Sequence, residues 1–228
     1  MHYAVWIIVL FGLLAVSWRY LGSYMAAVYE GRVHFLGWLE RPTYRLLNLD
    51  PDKEQTWPRY AASLVVYSGV AVAVTYLIVR LQGHLPLNPQ HLPAVTPALD
   101  LNTATSFVTN TNWQNYSGET TMSYLSQMGS LSVQMFASAS AGLAVMIALI
   151  RGFSRKGSPT IGNFWADLVR GVYYILLPIS VVAALVFIGE GAVQTFAGPV
   201  SVTDALNHFS TVVPRGPVGS MEAIKQLG

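Results

Sequence analysis

Two long apolar segments, residues 60–81 and 124–150, enclose a polar stretch, residues 102–119, that reads NTATSFVTNTNWQNYSGE. That order restricts the fold more than any other feature. Each flanking segment exceeds the roughly 18 apolar residues needed to cross about 30 Å of hydrocarbon. Between Leu81 and Ile150 there is no lysine or arginine. Backbone outside a helix survives at membrane depth only where protein buries it or where it lines a wet cavity. A span, a polar insert that opens as a short helix, and a second span form the layout of a pore-loop ion pathway. Filters of that kind replace the hydration shell of a cation with carbonyl and hydroxyl oxygens. An ordinary polar outer loop is the alternative, and Asn115-Tyr116-Ser117 matches a glycosylation sequon, a pattern frequent by chance.

The rest of the composition agrees with a bilayer as solvent. Hydrophobic residues make up 53% of the chain and charged residues 11%, about half the charged fraction of a soluble domain. The expected class is an all-α polytopic membrane protein. With no cysteine, a disulfide framework and a thiolate metal site are both excluded. A formal charge of +2 is too small to suggest nucleic acid as a partner. The placement of the charges is more telling. Arg32, Arg41, Arg45, Lys53 and Arg59 crowd the first long loop, and Arg151, Arg155 and Lys156 follow the 124–150 segment. By the positive-inside rule, loops 21–58 and 151–162 face the cytoplasm, and the N-terminus and the polar insert face outside.

In chain order, residues 3–20 form a first span that closes on Trp18, Arg19 and Tyr20. A charged leader and a small-residue cleavage pattern are lacking, which argues against a signal peptide. Residues 21–58 are a connector broken by Gly22, Gly31, Gly37, Pro42, Pro51 and Pro58. A first helix–pore loop–helix repeat, 59–150, follows, with spans 60–81 and 124–150. Pro86, Pro89, Pro93 and Pro97 fill the linker after the first of these, and His84 and His91 there read as surface residues. Asp100 or Asn102 is expected to cap a short helix running to about Val108. Its carbonyl end would point into the membrane, where partial negative charge favours a cation. Thr109, Asn110, Thr111, Asn112, Trp113 and Gln114 then supply neutral, hard oxygens suited to an alkali cation.

Glu119 is expected in the first turn of the next span, complementing the helix dipole, or in a vestibule that attracts cations. Small residues in that span (Ser126, Gly129, Ser130, Ser132, Ser138, Ser140 and Gly142) suit close helix packing. Gln127 and Gln134, seven apart, are expected to share a face. Residues 151–162 form a cytoplasmic turn and 163–189 a further span. There Asp167 and Arg170 have the spacing of an ion pair, and Pro178 is expected to kink the helix. An external linker, 190–217, leads to a short helix, 219–228, capped by Ser220 and with Glu222 in its first turn. The order of span, linker and short helix has thus appeared twice, as a partial second repeat.

Three blocks, LPLNPQHLP, LNTATSFVTNTNWQNYSGETTMSYLSQMGSLSVQ and GPVGSMEAIKQLG, resemble the potassium-binding subunit family of the bacterial Kdp potassium-transporting ATPase. The resemblance covers nearly the whole chain, more weakly in the first sixty residues. It implies one extra N-terminal helix followed by helix–pore loop–helix repeats of potassium-channel type, in the bacterial inner membrane. It further implies a non-catalytic subunit that binds external potassium in its filter and passes it to a P-type ATPase subunit. Small accessory membrane subunits would complete the complex, and potassium would be the transported ion, with no organic cofactor. Carried over by motif, Val108, Thr109, Asn110, Thr111, Asn112 and Gln114 would form the first quarter of the filter.

In the family, a second filter strand of the Thr-Asn-Gly-Gly-Gly type follows the position of Gly228. The chain is therefore expected to be a fragment, truncated in the second repeat and not competent alone, since a quarter of the oxygens cannot dehydrate potassium. A passive potassium channel subunit and a non-functional membrane fragment are the competing expectations.

Overall fold

The computed structural model describes residues 2–203 and 210–227. Residues 204–209 of the 190–217 linker, and Gly228 of the 219–228 helix, lie outside the described residues. Among the described residues, four helices are long and apolar enough to cross a membrane. They are α1 (His2–Tyr29), α3 (Trp57–Arg80), α5 (Tyr124–Ser154) and α6 (Phe164–Gly189). The shorter helices α2 (Gly37–Leu46) and α4 (Pro97–Val108) lie between them, and α7 (Val218–Lys225) follows α6. The first helix continues nine residues beyond Tyr20, because Leu21–Tyr29 contains no proline and its Gly22 is tolerated inside a helix. Only its last turns are packed: Val28 and Tyr29 join Tyr174 and Ile175 in a buried cluster, while the apolar run before them is exposed.

The small residues of α5 let α6 come close. Ser140 Oγ donates to the Leu168 carbonyl at 2.7 Å, and a Cβ on Gly171 would lie 2.2 Å from Ser140 Oγ. Ser126, Ser130, Ser132, Ser138 and Ser140 are buried as packing predicts, but Gly129 and Gly142 lie on the exposed side. Both long C-terminal helices contain a π turn, Gln127–Ser132 in α5 and Gly171–Leu176 in α6. In α5 the wider turn rotates Gln127 away from Gln134. Gln127 Nε2 donates to the Gly118 and Met122 carbonyls, whereas Gln134 faces the Tyr67 hydroxyl. The shared polar face is therefore not formed. In α6, Pro178 cannot donate to the Tyr174 carbonyl, and the Tyr24 hydroxyl of α1 donates to it instead at 2.5 Å.

Asp167 and Arg170 do not pair with each other. Asp167 takes a bidentate contact from Arg151, and Arg170 Nε lies 3.4 Å from Glu40. Partners on other helices outcompete the local spacing because α5 and α2 bring buried, otherwise uncompensated charges to the same place. Loops 21–58 and 151–162 meet at this end of the bundle. Gln55 N–H donates to Gly162, Ile161 N–H donates to Gln55, and Arg155 pairs with Glu54 at 2.7 Å. The hydroxyl of Thr160 and the guanidinium of Arg155 hold the Glu54 carboxyl below its usual range.

The 190–217 linker holds what the helical reading missed, a two-stranded antiparallel ribbon. Its strands, β1 (Val200–Thr203) and β2 (Ser210–Val213), pair Val200 with Val213. Both strands are β-branched and serine residues, which favour extended backbone. Helix α7 begins at Val218 after Pro217, so Ser220 lies within its first turn and bonds back to the Pro217 carbonyl in place of capping it. Glu222 pairs with Lys225 at 3.2 Å.

Candidate cation filter

Helix α4 is twelve residues long, too short to span. It begins at Pro97 with Thr96 before it, so neither Asp100 nor Asn102 is its cap: Pro97 is preorganised for the first helical position. Asp100 sits in the first turn, fully buried, and both carboxylate oxygens lack a hydrogen-bond partner. Burial pushes this carboxyl up to about 6, with Arg80 opposing. A raised folded value means that the stability linked to protonated Asp100 is full at low pH and is lost as pH rises through about 6. The protein is expected to lose stability between pH 4 and 6, and Asp100→Asn to flatten that slope; thermal unfolding across this range measures it.

The far end of α4 is closed by a Schellman motif. Asn110 has left-handed backbone, φ 56°. Thr111 N–H reaches back to the Ser106 carbonyl at 2.9 Å and Asn110 N–H to the Phe107 carbonyl at 3.3 Å. Asn112 is left-handed again, φ 54°. Asparagine tolerates this region better than other residues with a Cβ, which gives the alternating Thr-Asn-Thr-Asn a physical reason. Ser106 then fastens the strand: its Oγ accepts from Trp113 N–H at 2.7 Å and lies 3.1 Å from the Trp113 carbonyl. Asn110 Oδ1 accepts from Asn112 Nδ2 and from Ser138 Oγ. Ser138 lies fourteen residues into the 31-residue helix α5, so the segment reaches the middle of a spanning helix.

These bonds spend the N–H groups and leave the carbonyls. Among the described residues no donor reaches the backbone oxygens of Val108, Thr109, Asn110, Thr111 or Asn112. Thr109 and Thr111 add two hydroxyls 3.0 Å apart. They face a cavity of about 490 Å³ with Asn102, Thr105, Trp113 and Asn115. Val108 is buried behind the strand, and Asn112 is half-buried with an unpartnered Oδ1. Gln114 and Glu119 face the other way, into a cavity of about 250 Å³ shared with Gln127, Arg215 and Lys225. Glu119 is not in α5. It belongs to a separate turn, Gly118–Thr121, set off by Met122, because Ser123 caps α5 by accepting from Ser126 N–H.

Sequence reasoning passed over Gln82, which is fully buried after α3. Its amide donates to the Pro93 and Thr121 carbonyls and accepts from Ser123 N–H and Ser126 Oγ. It thereby ties the linker before α4 to the Gly118–Thr121 turn and the start of α5. A lone glutamine at the end of an apolar run was the signal available.

Neutral oxygens in this number, without a cluster of three or more acidic or histidine ligands among the described residues, suit a monovalent cation better than a divalent one. Residues 8–228 match the family described as the potassium-transporting ATPase A subunit. Relatives carry the name potassium-transporting ATPase potassium-binding subunit. One from Granulibacter bethesdensis is 52% identical over 92% of this chain and 38% of its own length. One from Rhodospirillum centenum is 49% identical over 97% of this chain and 39% of its own. One from Pseudomonas aeruginosa is 46% identical over all of this chain and 41% of its own. The chain thus spans about two fifths of the length of the curated relatives it matches. The chain belongs to the potassium-transporting ATPase A subunit family.

Proposed function

We propose that this chain forms part of the potassium-binding, non-catalytic, channel-like subunit of an ATP-driven potassium uptake pump. The observation that carries the reading is the run of five unbonded carbonyls, Val108 to Asn112, held at mid-span depth by Ser106 and Ser138. Potassium exchanges hydration water for these oxygens and for the Thr109 and Thr111 hydroxyls, while Gln114 and Glu119 line the separate cavity on the other side of the strand. One strand is one share of such a site; the further repeats of the complete subunit supply the others. The ion then passes to a P-type ATPase subunit that hydrolyses ATP, alongside small accessory membrane subunits. The chain is a multi-pass protein of the bacterial inner membrane, with the filter and the N-terminus external and loops 21–58 and 151–162 cytoplasmic. The meeting of the two basic loops at one end of the bundle supports that orientation.

The test is potassium uptake by the complete subunit in its pump. Asn110→Val places a β-branched residue at φ 56°, a strain of about 1–3 kcal/mol, and is expected to weaken apparent potassium affinity tenfold or more. Asn110→Gly keeps the backbone and costs less. Gln114→Arg adds a fixed cation on the other side of the same strand and is expected to lower affinity as well, by a smaller factor. Unchanged uptake at micromolar potassium by Asn110→Val and Gln114→Arg, or conduction without ATP, sinks the reading.

A further inference from the structure

Helix α2 is built with two unlike faces. Inward, Glu40 and Tyr44 are buried, and Glu40 accepts from the Tyr44 hydroxyl at 2.7 Å and the Tyr174 hydroxyl at 2.6 Å, with Arg170 Nε at 3.4 Å. Outward, Trp38, Arg41 and Arg45 follow at spacings of three and four and so share the opposite face. All three are exposed, Trp38 by 70%, and Phe35 and Leu46 beside them are exposed as well. Arg41 and Arg45 have no hydrogen bond or ion pair among the described residues. The glutamates of this region are already taken: Glu30 by Arg32, Glu40 by Arg170 and Glu54 by Arg155. Asp50 and Asp52, on the loop after α2, have no cation partner.

Depth points to the occupant. Tyr44 packs on Ala166 and Val169 of α6, and Tyr173 extends that contact. From Phe164 to Tyr173 is nine residues, roughly 14 Å of helix. The headgroup layer and outermost hydrocarbon of a bilayer lie within such a distance of a helix end. A tryptophan beside two unpaired arginines at that depth matches the amphipathic faces that lie in the interface plane.

We propose that the outer face of α2, Trp38, Arg41 and Arg45, binds the anionic phospholipid headgroups of the leaflet bordering the basic loops. The guanidinium groups bond the phosphates, and Trp38 sits among the glycerol and upper acyl carbons. This use of α2 is separate from the ion path and does not rest on which side of the membrane the filter faces.

The experiment places p-benzoylphenylalanine at Trp38 in the complete subunit, assembled with its pump partners in nanodiscs of equal phosphatidylglycerol and phosphatidylcholine. Photoadducts are read by mass spectrometry. The phosphatidylglycerol adduct is expected to exceed the phosphatidylcholine adduct by about 25-fold, roughly five-fold per arginine. Arg41→Gln with Arg45→Gln should bring the ratio to about one. Raising salt to about 1 M, where screening shortens to about 3 Å, should lower it with both arginines intact. A ratio near one at low salt, a ratio that the double substitution leaves unchanged, or an adduct to a partner subunit in place of lipid would overturn the proposal. Phosphatidylglycerol is present in both leaflets, so the result does not depend on which side of the membrane the basic loops face.

Discussion

Replacing Gln82 by leucine is expected to destabilise the subunit by about 3–5 kcal/mol, because four groups lose a partner at once, two of them, Ser123 N–H and Ser126 Oγ, on buried residues. The side chain is wholly buried, and its amide is satisfied on both sides by Pro93, Thr121, Ser123 and Ser126. Leucine has nearly the same volume and neither donor nor acceptor. Each buried orphan costs about 1–3 kcal/mol, and water entering the site would recover part of the sum. The measurement is thermal unfolding of the complete subunit in nanodiscs, with and without potassium. Gln82 joins the linker before α4 to the start of α5, so potassium protection should shrink along with basal stability. A loss below about 1 kcal/mol, within the range of an ordinary surface change, would mean that this network does not hold the filter.

The contrast between Gln82 and Asn110 shows what a sequence makes legible here. The spans, the polar insert and the short helix that opens it were readable because hydrophobic length and the absence of lysine and arginine act over tens of residues. The alternation of asparagine at positions 110 and 112 was visible too, though its backbone meaning appears only with the positive φ values. Gln82 was not, because its four partners lie up to 44 residues away and no local pattern brings them together. The same limit explains Asp167, whose neighbour at i+3 was the expected partner and whose actual partner is sixteen residues back on another helix. The π turn of α5 lies between Gln127 and Gln134, so helical periodicity placed them on a common face that the fold does not have. The ribbon at Val200–Thr203 and Ser210–Val213 is different: its β-branched composition was on view, and the expectation of an all-helical chain hid it.

Removing either member of the Arg151–Asp167 pair is expected to cost about 3–5 kcal/mol, since the remaining charge is left buried without compensation. The pair is bidentate, with contacts of 2.6 and 3.0 Å, and Asp167 is 1% exposed. Arg151 also donates to the carbonyls of Tyr29 and Ile161, so one guanidinium gathers α1, α5, α6 and the 151–162 loop. Gly162 makes room for it: its φ is 105°, and a Cβ there would lie 2.0 Å from Arg151 Nη1. The Tyr60 hydroxyl adds a contact of 3.0 Å to Asp167 from α3. A double substitution decides whether the pair supplies stability or only specificity. Arg151→Met with Asp167→Leu removes both charges and fills similar space, and such replacements are often neutral or stabilising by about 1–4 kcal/mol. Unfolding of the two single variants and the double variant in nanodiscs should therefore show two large losses and a recovery. If the double variant loses as much as the singles combined, the hydrogen bonds to Tyr29 and Ile161, and not the charge pairing, are what join these helices. If the singles lose under about 1 kcal/mol, in the range of exposed pairs, then water reaches the site and the pair is no more than a surface contact.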